Sequence, residues 1–329
     1  MSVTVGVLGA ARVVRPALLE PAAAVEGIEV TAVAARDEER AIAFAGEHGI
    51  PRVFRCYDEI VDAPDVDALY VPTPAALHGH WMRRAIKAGK HVLCEKPFTA
   101  NAEEAAAIAE LAESSGLVVM EAFHSRHHPM WTRMRDILDS GVLGRLHTAR
   151  AEFSVPHPDP TDIRWQRHLG GGALMDLGCY PVRLLRHLFG EPEVIEAQAR
   201  DIDGVDISMA ARLAFAGAVS GEVVVSMEPT AGPVAELRVI GLAGDLHVRM
   251  PYHPYMYGEL TLTTDAGVVT EPGDPRTSYS FQLAAFRDAV SDNAPVLTNA
   301  REATATMRVI DAVYHAAGLS PRAPLTPSP

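Results

Sequence analysis

The chain has 329 residues, of which 48% are hydrophobic and 22% are charged, and its formal net charge is -13 at pH 7. This length predicts two domains, and the negative charge argues against a nucleic-acid surface. The first residues lack the pattern of a signal peptide, and no apolar run reaches the roughly 18 residues of a membrane helix. Cys56, Cys94 and Cys179 lack metal-type spacing, so we expect reduced thiols in a cytoplasmic protein.

The first 120 residues alternate apolar, strand-like runs with helix-like segments. The predicted strands are 3–8, 28–35, 67–71, 91–94 and 117–120, and the predicted helices are 14–25, 37–48, 77–88 and 101–115. This alternation predicts βαβ units that form a parallel sheet. Asp37 is expected to cap the second helix by accepting from free backbone amides.

The turn after the first predicted strand reads Gly9-Ala-Ala-Arg12. It occupies the place of the dinucleotide fingerprint G-x-G-x-x-G, but Ala11 and Val14 replace the second and third glycines. Ala11 still permits close backbone approach, and a helix N-terminus favours a phosphate. Gly9, Ala11 and Arg12 are therefore candidate cofactor-binding residues, although a glycine here is also common in other α/β proteins.

The end of the second strand favours NADP(H) over NAD(H). NAD-binding proteins place an acid there to hold the adenosine ribose, whereas an arginine accepts the 2′-phosphate of NADP. This chain has Ala35 at that position, followed by Arg36 and Arg40. The alternative is a solvated, charged turn.

Polar residues follow two further strands of the predicted sheet. Ligands of open α/β sheets bind outside the carboxyl ends of the strands, so we expect a cofactor near Thr73, Pro74, His78, Glu95 and Lys96. Lys96 can hold negative charge or exchange a proton. The alternatives are a surface ion pair for Glu95 and Lys96 and a structural role for His78.

The segment after the last strand of the alternation is rich in histidine. Glu121, His124 and His127 are spaced by three, which suggests a metal site, but no H-E-x-x-H motif or cysteine partner accompanies them. We therefore predict no metal. His124 and Arg126 are expected near the substrate instead.

Beyond residue 130 the pattern changes to longer β-runs. The predicted strands are 146–155, 194–200, 208–215, 219–227, 235–240, 245–250 and 259–264, and helices are predicted at 131–140, 278–292 and 300–317. Mixed alternating and apolar runs predict a large, mostly antiparallel sheet with one open face. The predicted architecture is an α/β Rossmann domain at 1–122, an α+β domain at 123–318 and a disordered, proline-rich tail at 319–329.

A glycine run precedes Asp176 and Tyr180 in the second domain. A spacing of four places these two side chains on one face of the predicted helix, and Gly178 between them leaves room for another group. An acid beside a tyrosine can support proton transfer to a carbonyl or alcohol oxygen. The alternative is a buried tyrosine that hydrogen-bonds to the aspartate.

Together these motifs resemble the glucose–fructose oxidoreductase / inositol dehydrogenase (Gfo/Idh/MocA) family over residues 3–318. The motifs that carry the resemblance are Val5-Gly-Val-Leu-Gly9, Thr73-Pro74 with His78, Ala88-Gly89-Lys90 before Glu95-Lys96-Pro97, and Gly171-Gly172 before Asp176-x-Gly178-x-Tyr180. Many members have histidine at the position of Tyr180. With tyrosine at this position, the chain looks most like the branch of the family that holds dimeric dihydrodiol dehydrogenase, which also acts as an NADP-dependent D-xylose dehydrogenase.

The resemblance implies hydride transfer between NADP(H) and a CH–OH or C=O carbon of a sugar, cyclitol or diol. It implies that Lys96, Asp176 and Tyr180 flank the substrate as catalytic residues, with Glu95 anchoring the ribose or the lysine. Arg164 is a further candidate for substrate binding and Trp165 for cofactor binding. A homodimer or homotetramer through the open sheet face is also implied, without nucleic-acid or membrane partners. The alternatives are an NAD(P)-dependent glycosidase or lyase, and a non-catalytic dinucleotide-binding sensor.

Overall fold

The computed structural model describes residues 2–157, 159–230 and 232–327. The chain divides into two compact units. The N-terminal unit contains the residues up to His127, the segment Tyr279–Thr304 and the residues from Pro324 on; the C-terminal unit contains His128–Ser278 and Ala305–Ala323. These units differ from the expected division after residue 122, because a late segment returns to the N-terminal unit.

The N-terminal unit is built on a parallel sheet. Its elements are β1 (Val3–Leu8), α1 (Glu20–Ala22), β2 (Ile28–Ala34), α2 (Glu38–His48), β3 (Arg52–Phe54), α3 (Tyr57–Val61), β4 (Ala68–Val71), α4 (Ala75–Lys87), β5 (His91–Glu95), α5 (Ala102–Ser115) and β6 (Val119–Ala122). The strand order is β3-β2-β1-β4-β5-β6, and the neighbouring strands run parallel. The predicted Rossmann sheet is therefore confirmed, with β3 and α3 as additions that the sequence pattern did not predict.

Local sequence explains the strands and the second helix. β4 is buried at every position, as expected for a parallel strand that is covered on both faces. The Asp37 side chain accepts a hydrogen bond from the Arg40 amide at 3.2 Å, which confirms the predicted cap. α2 ends at Gly49 in the left-handed region, with φ of 68°.

The first helical segment departs from the predicted α-helix at 14–25. Arg15–Leu19 forms a π-helical turn, and only Glu20–Ala22 is α-helical. Pro16 and Pro21 cannot donate backbone hydrogen bonds, so an unbroken α-helical ladder is impossible here. The Glu20 amide accordingly bonds the carbonyl of Arg15, five residues back.

A segment from near the C-terminal end of the sequence completes the N-terminal unit. It includes most of α8 (Ser278–Asp292) and the start of α9 (Ala300–Ala316). The Glu121 amide donates to the Thr298 carbonyl at 2.8 Å, and the Thr298 hydroxyl donates to the Glu121 carbonyl at 2.7 Å. Arg287 donates to the carbonyl of Glu26 at 2.8 Å. The last strand of the parallel sheet is therefore held by residues from beyond position 278.

The C-terminal unit is built on a mostly antiparallel sheet, as predicted. Its elements are α6 (Pro129–Asp139), β7 (Leu146–Ser154), α7 (Cys179–Phe189), β8 (Glu193–Ile202), β9 (Val205–Phe215), β10 (Val219–Ser226), β11 (Val234–Gly241), β12 (Gly244–Arg249), β13 (Glu259–Thr264), β14 (Gly267–Pro272) and the rest of α9. The strand order is β14-β13-β12-β11-β7-β10-β9-β8, in which β7 and β10 pair parallel. α7 packs on one face across β7 and β10. Along β9, buried and more exposed side chains alternate from Ile207 to Phe215, so the other face is open.

The expectation of a disordered tail is wrong for the described residues 319–327. Arg322 is only 2% exposed and forms an ion pair with the buried Asp206. A proline-rich composition hid this anchor, because its charged partner lies more than a hundred residues away in sequence. In the part of the chain that the structure describes, no helix is long and apolar enough to cross a membrane.

Candidate active site

The glycine turn lies where the order of the parallel strands reverses. Gly9 follows β1 and has φ of 133°, a conformation that favours glycine. A β-carbon on Gly9 would lie 3.6 Å from the Tyr57 hydroxyl oxygen and 4.0 Å from Pro72, which follows β4. The turn therefore lies between the carboxyl ends of β1 and β4, the switch point at which open α/β sheets bind ligands. Ala11 and Arg12 continue this turn, and Arg12 is exposed.

Two arginines follow β2 beside this turn. Ala35 is buried, whereas the side chains of Arg36 and Arg40 are exposed. The Arg40 guanidinium donates to the carbonyl of Ala10 at 2.8 Å, which ties the start of α2 to the glycine turn. Both side chains of the predicted phosphate site are thus placed near the switch point.

Tyr57 is a neighbour of this site that the sequence did not predict. Burial raises the pKa of its hydroxyl, and the charges of Arg36 and Arg40, with a hydrogen bond from the Arg36 backbone, partly offset that effect. The residue begins α3, a helix too short to show amphipathic periodicity. The only sign of Tyr57 in the sequence is an isolated tyrosine after β3, the strand that follows the two arginines.

His78 joins the loop after β4 to the loop after β5. Its Nδ1 lies 2.9 Å from the Pro97 carbonyl oxygen and its Nε2 lies 2.6 Å from the Thr73 carbonyl oxygen. Burial lowers the pKa of this imidazole to about 4, against the opposing effect of the carbonyl contacts. A neutral ring donates to only one of the two carbonyls. His78 thus holds the backbone next to Lys96, which supports a positioning role; its predicted cofactor contact stays a prediction.

Thr73 presents a buried polar atom to the same edge of the sheet. Its hydroxyl oxygen is buried and has no hydrogen-bond partner among the described residues. Buried hydroxyls are normally paired, so this one fits a polar group supplied by a bound molecule. Pro74 follows it and precedes the first residue of α4. Together with the turn at Gly9, the orphaned hydroxyl fits a site for a polar ligand at this edge of the sheet.

Glu95 has a buried partner within the sheet. Its carboxylate accepts from the Tyr70 hydroxyl at 2.6 Å and from the Lys96 amide at 3.3 Å. Burial raises the pKa of Glu95, while these hydrogen bonds and the Lys96 charge oppose the rise. The tyrosine contact was not predicted, because Tyr70 stands in an apolar strand where it suggests only packing. The predicted ribose contact of Glu95 stays a prediction.

The histidine-rich segment after β6 folds as a short 3-10 turn at His124–His127. His124 is 1% exposed, and its ring lies against Tyr279 with centroids 4.0 Å apart. Arg126 is partly exposed. Within the described residues, no group of three or more His, Cys, Asp or Glu is arranged to hold a metal ion.

In the C-terminal unit, Asp176 and Tyr180 lie on a helix with two kinds of turn. Leu174–Gly178 is π-helical and α7 begins at Cys179, so the pair does not follow the regular α-helical spacing that was predicted. A β-carbon on Gly178 would lie 2.6 Å from the Leu174 side chain. Leu174 therefore occupies the space that was expected to admit another group. Tyr180 is 4% exposed.

Asp176 lies in a cluster of basic side chains. The Arg164 Nε donates to its carboxylate at 2.7 Å, and the His157 Nε2 lies 3.7 Å from the same oxygen. Burial alone would lower the pKa of Arg164, but the carboxylates of Asp176 and Asp162 outweigh it and raise that pKa. Trp165 donates to the His157 carbonyl at 3.1 Å. The cluster thus unites predicted substrate residues with Trp165, whose predicted cofactor contact is untested.

Tyr180 has an aromatic surrounding within the same unit. Its ring centroid lies 5.4 Å from Phe153, 5.7 Å from Tyr252 and 5.9 Å from His253. These rings hold the phenol in one orientation, while Asp176 is fixed by its arginine. A fixed carboxylate and an oriented phenol on one helix form an arrangement that can orient hydroxyls and move a proton.

A parallel sheet of this order, with an open glycine turn at its switch point, defines a dinucleotide-binding α/β protein. Residues 3–123 match the family model described as "Oxidoreductase family, NAD-binding Rossmann fold", and residues 131–247 match the "GFO/IDH/MocA C-terminal domain". The chain belongs to the Gfo/Idh/MocA family of oxidoreductases. The resemblance seen in the sequence motifs is thereby confirmed.

Several characterised proteins are similar over most of the chain. D-xylose 1-dehydrogenase (NADP(+)) 2 of Haloferax volcanii is 37% identical over 95% of this chain and 96% of its own length. A dTDP-3,4-didehydro-2,6-dideoxy-alpha-D-glucose 3-reductase of Streptomyces violaceoruber is 41% identical over 76% of this chain and 73% of its own. The crystal structure of KijD10, a 3-ketoreductase from Actinomadura kijaniata in complex with NADP and TDP-benzene, has a TM-score of 0.89 and 30% identity, and covers 96% of this chain and 98% of that chain.

Proposed function

We propose that this protein transfers hydride between NADP(H) and a CH–OH or C=O carbon of a sugar, cyclitol or diol. The observation that carries the proposal is the 2.7 Å ion pair between Arg164 and Asp176. Asp176 lies four residues before the buried Tyr180. Two relatives act on a sugar or a nucleotide sugar according to their names, and KijD10 is named a 3-ketoreductase. The name of the D-xylose dehydrogenase and the KijD10 complex both specify NADP. Family membership and the polar cluster thus point to the same chemistry.

The proposed cofactor is NADP(H) rather than NAD(H). Arg36 is exposed after β2, beside the buried Ala35, where an acid would otherwise hold a ribose. Arg40 is held to the glycine turn, which leaves Arg36 as the proposed partner of the 2′-phosphate. Gly9, Ala11 and Arg12 would face the pyrophosphate, and Thr73 would supply its hydroxyl to the bound cofactor.

The proposed chemistry assigns one role to each of three side chains. The nicotinamide supplies or accepts the hydride when it is bound. Tyr180 donates a proton to the substrate oxygen during reduction and accepts it during oxidation. Lys96 would hold negative charge or exchange a proton at the carboxyl end of β5. Asp176 orients a neighbouring hydroxyl, and Arg164 keeps its carboxylate fixed.

The remaining substrate contacts are assigned to three basic residues. His124 and Arg126 are proposed to bind substrate hydroxyls from the segment after β6, and Arg164 does so from the loop before Asp176. Glu95 is proposed to support Lys96 from the same strand end, since its carboxylate accepts from the Lys96 amide. An arginine at the substrate, such as Arg126 or Arg164, also suits a phosphorylated or nucleotide-linked sugar.

The open face of the C-terminal sheet is the proposed contact between subunits of a homodimer or homotetramer. It carries cross-strand ion pairs, with Arg150 2.6 Å from Glu222 and Arg212 3.2 Å from Glu196. A shallow depression of about 510 Å³ runs across the same strands. Light scattering should give a multiple of the 35.3 kDa chain mass, and Ala210→Glu on this face should shift it to the monomer. We also propose a cytoplasmic location, consistent with the buried Cys94 and Cys179 thiols.

The decisive experiment follows NADPH absorbance with a panel of aldoses, diols, keto-sugars and nucleotide-linked keto-sugars. Consumption of NADPH in proportion to product is expected, whereas product without net NADPH consumption would support the glycosidase or lyase alternative. No turnover of any substrate, despite NADPH binding, would support the sensor alternative.

Two variants then test the assigned residues. Lys96→Met and Tyr180→Phe should lower kcat about 10²–10⁴-fold while NADPH binding, measured by fluorescence, is retained. Lys87→Met, at the exposed end of α4, and Tyr257→Phe, at a side chain that is 93% exposed, are the matched controls. Near wild-type turnover in both active-site variants would refute the mechanism.

A further inference from the structure

Arg322 lies beyond the last helix, in the proline-rich end of the chain, and yet it is buried. The residue is 2% exposed, and its guanidinium lies over the Tyr314 ring, 4.6 Å from the centroid. Arginine is rarely buried to this degree unless its donors are paired. Its partners therefore indicate what the residue does.

Those partners belong to the loop before the Asp176 helix. The Arg322 Nε donates to the Gly171 carbonyl at 2.7 Å, and an Nη donates to Asp206. Asp206 also accepts from the Leu174 amide at 2.7 Å and from the Tyr314 hydroxyl at 2.9 Å. The ion pair thus holds the backbone at two places, Gly171 and Leu174, which lie directly before Asp176.

The glycine loop is shaped to fit between this ion pair and the Arg164 backbone. Gly172 has φ of 134°, and a β-carbon on it would overlap the Asp206 carboxylate and the Arg322 guanidinium. On the other side, a β-carbon on Gly171 would lie 2.5 Å from the Arg164 carbonyl oxygen. Both glycines are needed because charged side chains and backbone approach the loop closely from two sides.

The loop in turn positions both ends of the Arg164–Asp176 pair. The Gly172 amide donates to the Arg164 carbonyl at 2.9 Å, and the Asp176 amide donates to the Gly172 carbonyl at 3.0 Å. The side chains of the two residues then meet at 2.7 Å. A single residue, Gly172, therefore bonds the backbone of both partners, and Arg322 holds the residue next to it.

We propose that Arg322 is a positioning residue that sets the geometry of Asp176 and Tyr180 from the C-terminal end of the chain. Its kinetic consequence rests on the function proposed above. Replacing Arg322 alone leaves the Asp206 carboxylate buried without its counter-charge, which destabilises the fold whatever else the residue does. The positioning role is therefore read from kcat per folded molecule and from local hydrogen exchange, not from stability. The hydrogen bond to the Gly171 carbonyl is directional, and only a planar fork reaches that carbonyl and Asp206 together.

The test compares Arg322→Lys and Arg322→Met with two controls. Val248→Ala, in the core of β12 and 0% exposed, lowers the stability of the same unit without touching the loop. A chain that stops after Thr326 removes the last residues but keeps Arg322 and the hydrogen bond from the Leu325 amide to the Ala76 carbonyl. Each protein is measured for folded fraction, NADPH affinity, kcat, KM and hydrogen exchange in the peptide that covers residues 171–180.

Both Arg322 variants should lose at least about tenfold in kcat per folded molecule, since small misplacements of reacting groups have large effects on rate. Their exchange in residues 171–180 should accelerate, while NADPH affinity and the truncated control stay at wild-type values. Wild-type kcat and unchanged exchange in Arg322→Lys and Arg322→Met would overturn the proposal. A loss of kcat no larger than that of Val248→Ala, at equal stability, would also overturn it. If the wild-type chain reduces no substrate, the proposed function fails, and the exchange measurement alone decides the role of Arg322.

Discussion

His78 should make the stability of the N-terminal unit depend on pH in a defined window. The structure lowers its pKa from 6.5 to about 4, so the folded state favours the neutral ring. Stability is therefore complete above pH 6.5 and is lost as the pH falls toward 4. The loss is about 1.4 kcal/mol per pH unit, or about 2 kcal/mol at pH 5.

The change is measured against His78→Gln, which cannot titrate but can still donate to one of the two carbonyls. Unfolding in denaturant is followed by hydrogen exchange of β4 and β5 peptides, so that the N-terminal unit is read separately from the rest of the chain. The free-energy difference between wild type and His78→Gln should shift by about 2 kcal/mol against the wild type between pH 7 and pH 5. His315→Gln, on an exposed site of α9, controls for loss of a histidine. A difference that does not change with pH would refute a buried, neutral His78.

Three further predictions address other parts of the two units. Arg36→Ala should weaken NADPH binding about 10–100-fold, the value of a charged hydrogen bond, and leave NADH binding unchanged; equal effects on both would contradict the 2′-phosphate assignment. Asp37→Ala should lower the unfolding free energy by about 1 kcal/mol through loss of the α2 cap, and Asp37→Ser should restore most of it. Gly172→Ala should lower the melting temperature more than Gly190→Ala does. Both glycines have positive φ, but only a β-carbon added to Gly172 would have other side-chain atoms within 4 Å. Equal shifts in melting temperature would show that backbone strain alone, worth about 1–3 kcal/mol, accounts for both.

The parallel sheet was predictable because its strands are continuous apolar runs separated by long helices. The Asp37 cap and the placement of polar residues at strand ends followed from local rules in the same way. β3 was missed because three residues, Arg52–Phe54, are too few to show a period. The two π-helical turns were missed because apolar periodicity does not distinguish them from α-helix, although the pair Pro16 and Pro21 gave a signal in the first case.

The residues of the candidate site were easier to predict than their partners. Lys96, Asp176 and Tyr180 stood out through their motifs, whereas Tyr57 and Tyr70 stand in segments where an aromatic residue indicates packing. Arg322 was hidden for a different reason, since its partner Asp206 is 116 residues away and no local pattern joins them. Long-range polar contacts of this kind depend on the tertiary fold and cannot be read from spacing.

The return of residues 279–304 to the N-terminal unit has a consequence for how the chain folds during synthesis. When the first 127 residues leave the ribosome, Thr298 and Arg287 have not yet been made, so the backbone groups of Glu121 and Glu26 lack their native partners. These partners become available only after the strands of the antiparallel sheet have been translated. Because the C-terminal unit likewise needs residues 305–323, we expect both units to be completed only when the last part of the chain has been made. A fragment that ends at residue 127 should therefore be a poor substitute for the N-terminal unit.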